Sequence, residues 1–138
     1  MDTSKYDENG NLRQGPYVWY FKDGTTVATQ GQHNRGQKTG IWTYFYNNGR
    51  VQGVGPYEDD VISGEWKWFR KSGELMQTGS FRDGKKTGQW TRYYPTGGLM
   101  DEGRYEADQR VGTWNYYDRS GNLSRSHDHK PPRQAVRG

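Results

Sequence analysis

The chain has 138 residues, a formal net charge of +4, 6 Trp, 11 Tyr, 20 Gly and no Cys. That length admits one ordinary domain, and the missing cysteines exclude a disulfide framework, a thiolate nucleophile and a cysteine metal site. Leu, Ile, Val and Phe together number 17, too few for an aliphatic core, so the apolar area must come from aromatic rings that bury ~150–250 Å² each.

Residues 1–118 hold 15 Lys/Arg and 15 Asp/Glu, whereas residues 119–138 hold five bases and one acid. The body is therefore neutral, which argues against a nucleic-acid partner, and any contact with an anionic membrane would rest on the tail. Neither an apolar signal segment nor a membrane-length apolar run is present. The expectation is a cytoplasmic protein, or a periplasmic one whose signal was removed.

In chain order, Tyr6-Asp7-Glu8-Asn9-Gly10-Asn11-Leu12 reads as the turn half of a repeat, making residues 1–14 a partial cap. From Gly15 a glycine is followed two residues later by an aromatic ring, at Tyr17, Trp42, Trp66, Trp90 and Trp114. The last four recur every 24 residues, the mark of a repeat architecture. Counting from that ring as column zero, column plus two reads Trp19, Tyr44, Trp68, Arg92, Tyr116 and column plus three Tyr20, Phe45, Phe69, Tyr93, Tyr117. Column plus four reads Phe21, Tyr46, Arg70, Tyr94, Asp118. Such aromatic-rich segments bounded by glycine predict strands.

Each strand ends at a turn glycine, Gly24, Gly49, Gly73, Gly97 or Gly121, which supplies the positive φ of a tight hairpin. A second strand begins at Val27, Val51, Leu75, Leu99 or Leu123, and in the first four units passes Gly31, Gly55, Gly79 or Gly103 and ends on His33, Tyr57, Phe81 or Tyr105. The extra residue near Thr25 and Thr26 predicts a bulge in the first unit. A polar link such as Arg82-Asp83-Gly84-Lys85-Lys86-Thr87 joins each unit to the next.

The predicted fold is all-β: a solenoid-like, twisted antiparallel sheet of about five stacked hairpin repeats over residues 15–123, because a lone hairpin is marginal in water. In the last unit His127 stands where glycine is expected and His129 where a ring is, and Lys130-Pro131-Pro132 stops strand pairing. Residues 124–138 are accordingly expected to form a basic, disordered tail.

The pattern Gly-x-Trp-x-x-Tyr/Phe, turn Gly, x-Leu, Gly-x-Tyr/Phe over roughly residues 6–123 resembles the second variant of the MORN repeat. It is similar in particular to bacterial proteins of the YwqK family, described as antitoxins or immunity partners of toxins. The resemblance implies a non-enzymatic protein that binds and neutralises a cognate toxin; a lipid-surface scaffold is the alternative, since MORN-type repeats also serve in membrane-contacting proteins.

Catalytic chemistry finds little purchase in these residues. His33 occupies a ring column and is expected to pack, and His127-Asp128-His129 offers only two imidazoles to a metal. No cofactor motif and no Ser-His-Asp arrangement is present, and the dense carboxylates Glu58, Asp59 and Asp60 fall in an inter-repeat turn, which suits a partner-facing knob better than acid-base catalysis.

Columns zero and plus three stay aromatic in every unit, as packing demands, while plus two and plus four admit Arg92, Arg70 and Asp118. Strand alternation would set columns zero, two and four on one face. Tyr, Trp and Arg dominate protein-binding hot spots, so the expected contact residues are Trp19, Tyr44, Trp68, Arg92 and Tyr116, flanked by Tyr46, Arg70 and Tyr94, with Glu58, Asp59 and Asp60 tuning specificity.

Overall fold

The structure, a computed structural model, describes residues 5–130. Each unit contributes two strands: β1 (Gly15–Tyr20) and β2 (Val27–Asn34), β3 (Gln37–Phe45) and β4 (Val51–Glu58), the short β5 (Val61–Ile62) with β6 (Gly64–Phe69) and β7 (Leu75–Arg82), β8 (Lys85–Tyr93) and β9 (Leu99–Glu106), and β10 (Gln109–Tyr117) and β11 (Leu123–His129). They form one open antiparallel sheet in sequence order, with β5 set off beside β4. Among the described residues there is no helix and no second layer.

Two turn chemistries alternate along the ribbon. Within a unit the backbone closes on the turn glycine, as where Gly49 N–H donates to Tyr46 O at 3.0 Å and Tyr46 N–H to Arg50 O at 2.8 Å. The N-terminal cap has the same turn, with Gly10 N–H on Asp7 O at 3.0 Å. Between units the predicted polar links shrink to two residues, both with positive φ: Arg35-Gly36, Asp59-Asp60, Asp83-Gly84 and Ala107-Asp108. Such pairs twist the chain in the sense that neighbouring strands require, so the strands run on through most of each link.

The lead glycine and the second glycine act together on tryptophan. Gly40, Gly88 and Gly112 have φ of 67°, 68° and 66°, and the pairing slips there, so that residues 40–42 face the single Gly31 of the preceding strand. The slip drops Trp42 flat over Gly31, where a Cβ would lie 2.2 Å from the indole. Trp66, Trp90 and Trp114 cover Gly55, Gly79 and Gly103 at 2.3, 2.1 and 2.1 Å. The disturbed ladder also frees carbonyls, and the indole N–H takes one: Trp42 Nε1 donates to Gln32 O and Trp114 Nε1 to Arg104 O, each at 3.1 Å.

These four indoles are 1–3% exposed, each worth roughly 4–6 kcal/mol at ~25 cal/mol per Å². Between them stand the rings that end the second strands, edge-on to their neighbours, as in Trp42–Tyr57 at 6.1 Å and Phe81–Trp90 at 5.3 Å. His33 belongs to this ladder, edge-on to Tyr17 at 4.9 Å and Trp42 at 5.1 Å.

Three expectations are corrected. First, a register shift follows column plus two in every unit. Column plus three continues the alternation onto the opposite face, where Tyr20 is 48% exposed, and column plus four lies beyond the strand end. Columns zero, two and four therefore do not share one strand face. Second, the extra residue of the first unit is absorbed by the turn, where Phe21 N–H donates to Thr26 O at 2.8 Å and the Asp23 carboxylate accepts from Thr25 N–H and Thr26 N–H. Third, residues 124–129 belong to β11, paired along β10. His127 is tolerated opposite Trp114 because that indole sits on Gly103, and among the described residues no further tryptophan needs a glycine beneath it. The rest of the expected tail, residues 131–138, lies outside the described residues.

Candidate functional site

Register places the tryptophans and column plus two on one face, hereafter the ladder face. Across it runs a continuous row, Trp19, Thr29, Tyr44, Gly53, Trp68, Gln77, Arg92, Asp101, Tyr116, Arg125, each opposite the next in the pairing. The proposed contact residues Trp19, Tyr44, Trp68 and Tyr116 are all half-buried in that row, and Arg92 is half-exposed.

Each has a local reason for its pose. Trp68 stacks on Trp66 at 6.0 Å and on Trp90 at 5.5 Å, over Gly53. The Tyr44 hydroxyl meets that of Tyr57 at 3.0 Å, and burial, aided by this bond, raises its pKa far above the ordinary phenol value. Arg92 Nε donates to both carboxylate oxygens of Asp101 at 3.1 Å. Asp101 is 2% exposed, so removing the guanidinium would strand a buried charge at a cost of ~3–5 kcal/mol.

Column plus four is a clasp. Tyr46 Oη donates to Phe69 O at 2.8 Å, Arg70 Nη2 to Tyr93 O at 2.7 Å, and Tyr94 Oη to Tyr117 O at 2.7 Å. Each reaches the column plus three carbonyl of the following unit, so these three side chains first of all fasten neighbours together.

The acidic knob divides likewise. Glu58 and Asp59 are exposed, but Asp60 Oδ1 accepts from Lys38 N–H at 2.7 Å while Asp60 N–H donates to Lys38 O at 3.0 Å. Asp108 repeats the tie on Lys86 at 2.7 and 3.1 Å. The two ties stand 48 residues apart, so units alternate in pairs.

His127 and His129 project from β11 onto the ladder face with rings 4.5 Å apart, while Asp128, on the opposite side of the strand, accepts from Thr113 Oγ1 at 2.6 Å. Among the described residues no three His, Cys, Asp or Glu side chains gather as metal ligands. Burial, then Arg13, pushes the His33 pKa down. The concavities are open and shallow, such as the groove of about 530 Å³ lined by Arg50, Val51, Val54 and Phe69.

Sequence reading passed over a column of cations four residues before the lead ring. Arg13 lies 4.9 Å from the Tyr17 ring centroid, and Arg110 4.5 Å from that of Trp114. Lys38 sits between Trp42 and Tyr57 at 5.2 and 5.0 Å, and Lys86 between Trp90 and Tyr105 at 5.0 Å each. The spacing was legible in the repeat alignment, where Ile62 alone departs from basic character.

Comparison with known proteins matches residues 38–59, 62–83 and 86–107 to a MORN repeat variant. No curated protein matches. Among solved structures, a GtfA/B complex bound to UDP and GlcNAc aligns at 13% identity and a TM-score of 0.38, over 66% of this chain and 22% of that one. This chain thus spans about a fifth of that chain's length. The matched segments contain the glycine-seated Trp66 and Trp90 and the Tyr46 and Arg70 clasps: this is an all-β repeat protein in which three consecutive repeats match a MORN repeat variant.

Proposed function

We propose that this is a non-enzymatic binding protein whose ladder face holds a protein partner. The observation that carries the reading is the row of Trp19, Tyr44, Trp68, Arg92 and Tyr116, half-open to solvent on a face that no other described layer covers. Aromatic and arginine side chains fixed by their neighbours present large contact areas at little entropic cost. Following the sequence resemblance, the partner is a cytoplasmic toxin that the sheet occludes sterically.

The absence of cysteine allows a direct test. Gln77→Cys, in the middle of the ladder-face row, and Gln89→Cys, exposed on the opposite face, are each coupled to a bulky maleimide. A partner captured from extract of the source organism, identified by mass spectrometry and purified, should be excluded by the label at position 77 and admitted with the label at position 89. The toxin reading further requires that expressing the partner alone arrests growth and that co-expression of this chain restores it. Equal binding by both labelled proteins would refute the ladder face as the contact surface.

A further inference from the structure

The neutral body conceals a sorted charge distribution. Following the registers strand by strand, the ladder face carries Lys38, Lys86, Arg92, Arg110 and Arg125 but a single carboxylate, Asp101. The opposite face carries Glu58, Glu65, Glu102, Glu106 and Asp128 against Lys67, Arg82, Lys85 and Arg104. One face is cationic and the other nearly balanced.

Of the ladder-face cations, which include Arg13 over Tyr17 ahead of β1, four crowd onto β8, β10 and β11. Arg110 lies over Trp114 and donates through Nη1 to the Tyr116 hydroxyl at 2.8 Å; Arg125 lies 4.4 Å from the Tyr116 centroid; Lys86 rests on Trp90 and Tyr105. Asp101 is spent on Arg92, and among the described residues no carboxylate comes within ion-pair distance of Lys86, Arg110 or Arg125. Rings rather than acids hold these cations, so their orientation is set without a direct carboxylate partner.

We infer that the β8–β11 end of the ladder face is a docking site for an acidic, extended segment of a protein partner. The inference rests on the reading that this face holds a protein, and adds the chemistry of what it holds. Pre-placed guanidiniums match the fork of a carboxylate.

The spacing fits too. Arg110 and Arg125 both meet Tyr116, one at its hydroxyl and the other over its ring, a separation that alternate carboxylates of an extended chain, recurring every ~6.7 Å, can address. A nucleic acid would want free ring faces for stacking, but Trp90 and Trp114 are each 3% exposed and Tyr116 is capped by Arg125. A membrane would want protruding apolar side chains, yet Val18 and Ile41, 43% and 59% exposed, point from the opposite face.

The test is fluorescence anisotropy of a labelled peptide, Glu-Ser-Glu-Ser-Glu-Ser-Glu, with its Gln-for-Glu counterpart, a twelve-base oligothymidine and vesicles of 20% phosphatidylserine as competitors. The glutamate peptide should bind saturably at low salt, and the double variant Arg110→Gln/Arg125→Gln should weaken it roughly tenfold or more, as expected for two charge-assisted contacts. Lys67→Gln/Arg104→Gln, which removes the same charge from the opposite face, should shift it less than about twofold. Far-ultraviolet circular dichroism confirms that both variants fold; if the first does not, Arg110→Lys/Arg125→Lys replaces it, with partial loss expected.

Equal weakening by the two double variants, no binding of the glutamate peptide, or tighter binding of oligothymidine or vesicles would overturn the inference. Should the peptide fail while the label at position 77 still excludes a protein partner, the acidic chemistry falls and the ladder-face reading stands. If that label also fails to exclude a partner, both fall.

Discussion

Gly79→Ala should be among the most damaging single-methyl additions this chain can suffer. The new Cβ would lie 2.1, 2.2 and 2.4 Å from Cδ2, Cε2 and Cε3 of Trp90, against ~3.5–4.0 Å for relaxed carbon contacts, so the ring would have to retreat by about 1.5 Å. It has nowhere to go. Trp68 stacks on it at 5.5 Å, Phe81 and Tyr105 stand edge-on at 5.3 and 5.5 Å, and its Nε1 donates to Thr87 O at 3.1 Å.

Either the indole swings out and forfeits much of its burial, or β7 and β8 part. Both outcomes resemble losing the ring, ~3–5 kcal/mol, a large share of the ~5–15 kcal/mol typical of a whole domain. Gly88→Ala provides the contrast: it meets nothing within 4 Å and suffers only the strain of φ +68°, ~1–2 kcal/mol. Urea denaturation followed by tryptophan fluorescence and circular dichroism would rank the two. A double-mutant cycle with Trp90→Ala sharpens the test, because alanine at position 79 should cost little once the indole is gone. Gly79→Ala no worse than Gly88→Ala, or strictly additive with Trp90→Ala, would refute the seating of tryptophan on glycine.

Other consequences can be measured in the same assay. Tyr46→Phe and Tyr94→Phe each remove one hydroxyl clasp and should cost ~1 kcal/mol, additively, since the two stand two units apart. Asp60→Asn keeps an oxygen for Lys38 N–H and should be nearly neutral, whereas Asp60→Ala loses that bond at a residue with φ of 70° and should cost ~1–3 kcal/mol. His33 has its folded pKa depressed, by burial first and by Arg13 second, so the unfolded chain takes up the proton at higher pH. Its penalty is absent well above the ordinary value of 6.5 and grows as pH falls from there to the folded pKa. The urea midpoint of His33→Phe should therefore fall less than that of the parent between pH 7.5 and pH 5, two values that bracket the ordinary ~6.5.

The hairpin units and their glycines were legible because one physical requirement recurs at one spacing. Gly79 can only be glycine beneath Trp90, and Gly97 serves a turn at φ 95°, so both leave a period. What faces what was not legible. Simple alternation would carry Trp68, Phe69 and Arg70 through regular sides of a strand, but the shift between Trp68 and Phe69 and the turn at Arg70 cancel that inference. The same shifts hid the sorting of charge, because Arg104 and Arg110 look alike in the sequence and emerge on opposite faces. The cation column was legible at the same spacing as the rings, since Arg13, Lys38, Lys86 and Arg110 each stand four residues before a lead ring.

The seating of each tryptophan on a glycine of the strand before it gives the ribbon a direction in time. Gly31 is synthesised before Trp42, Gly55 before Trp66, and so on to Gly103 and Trp114. The clasps run the other way, since Tyr46, Arg70 and Tyr94 wait for a carbonyl made 23 residues later. Along the chain, each indole's seat therefore precedes it, while the carbonyl that fastens its unit belongs to the successor.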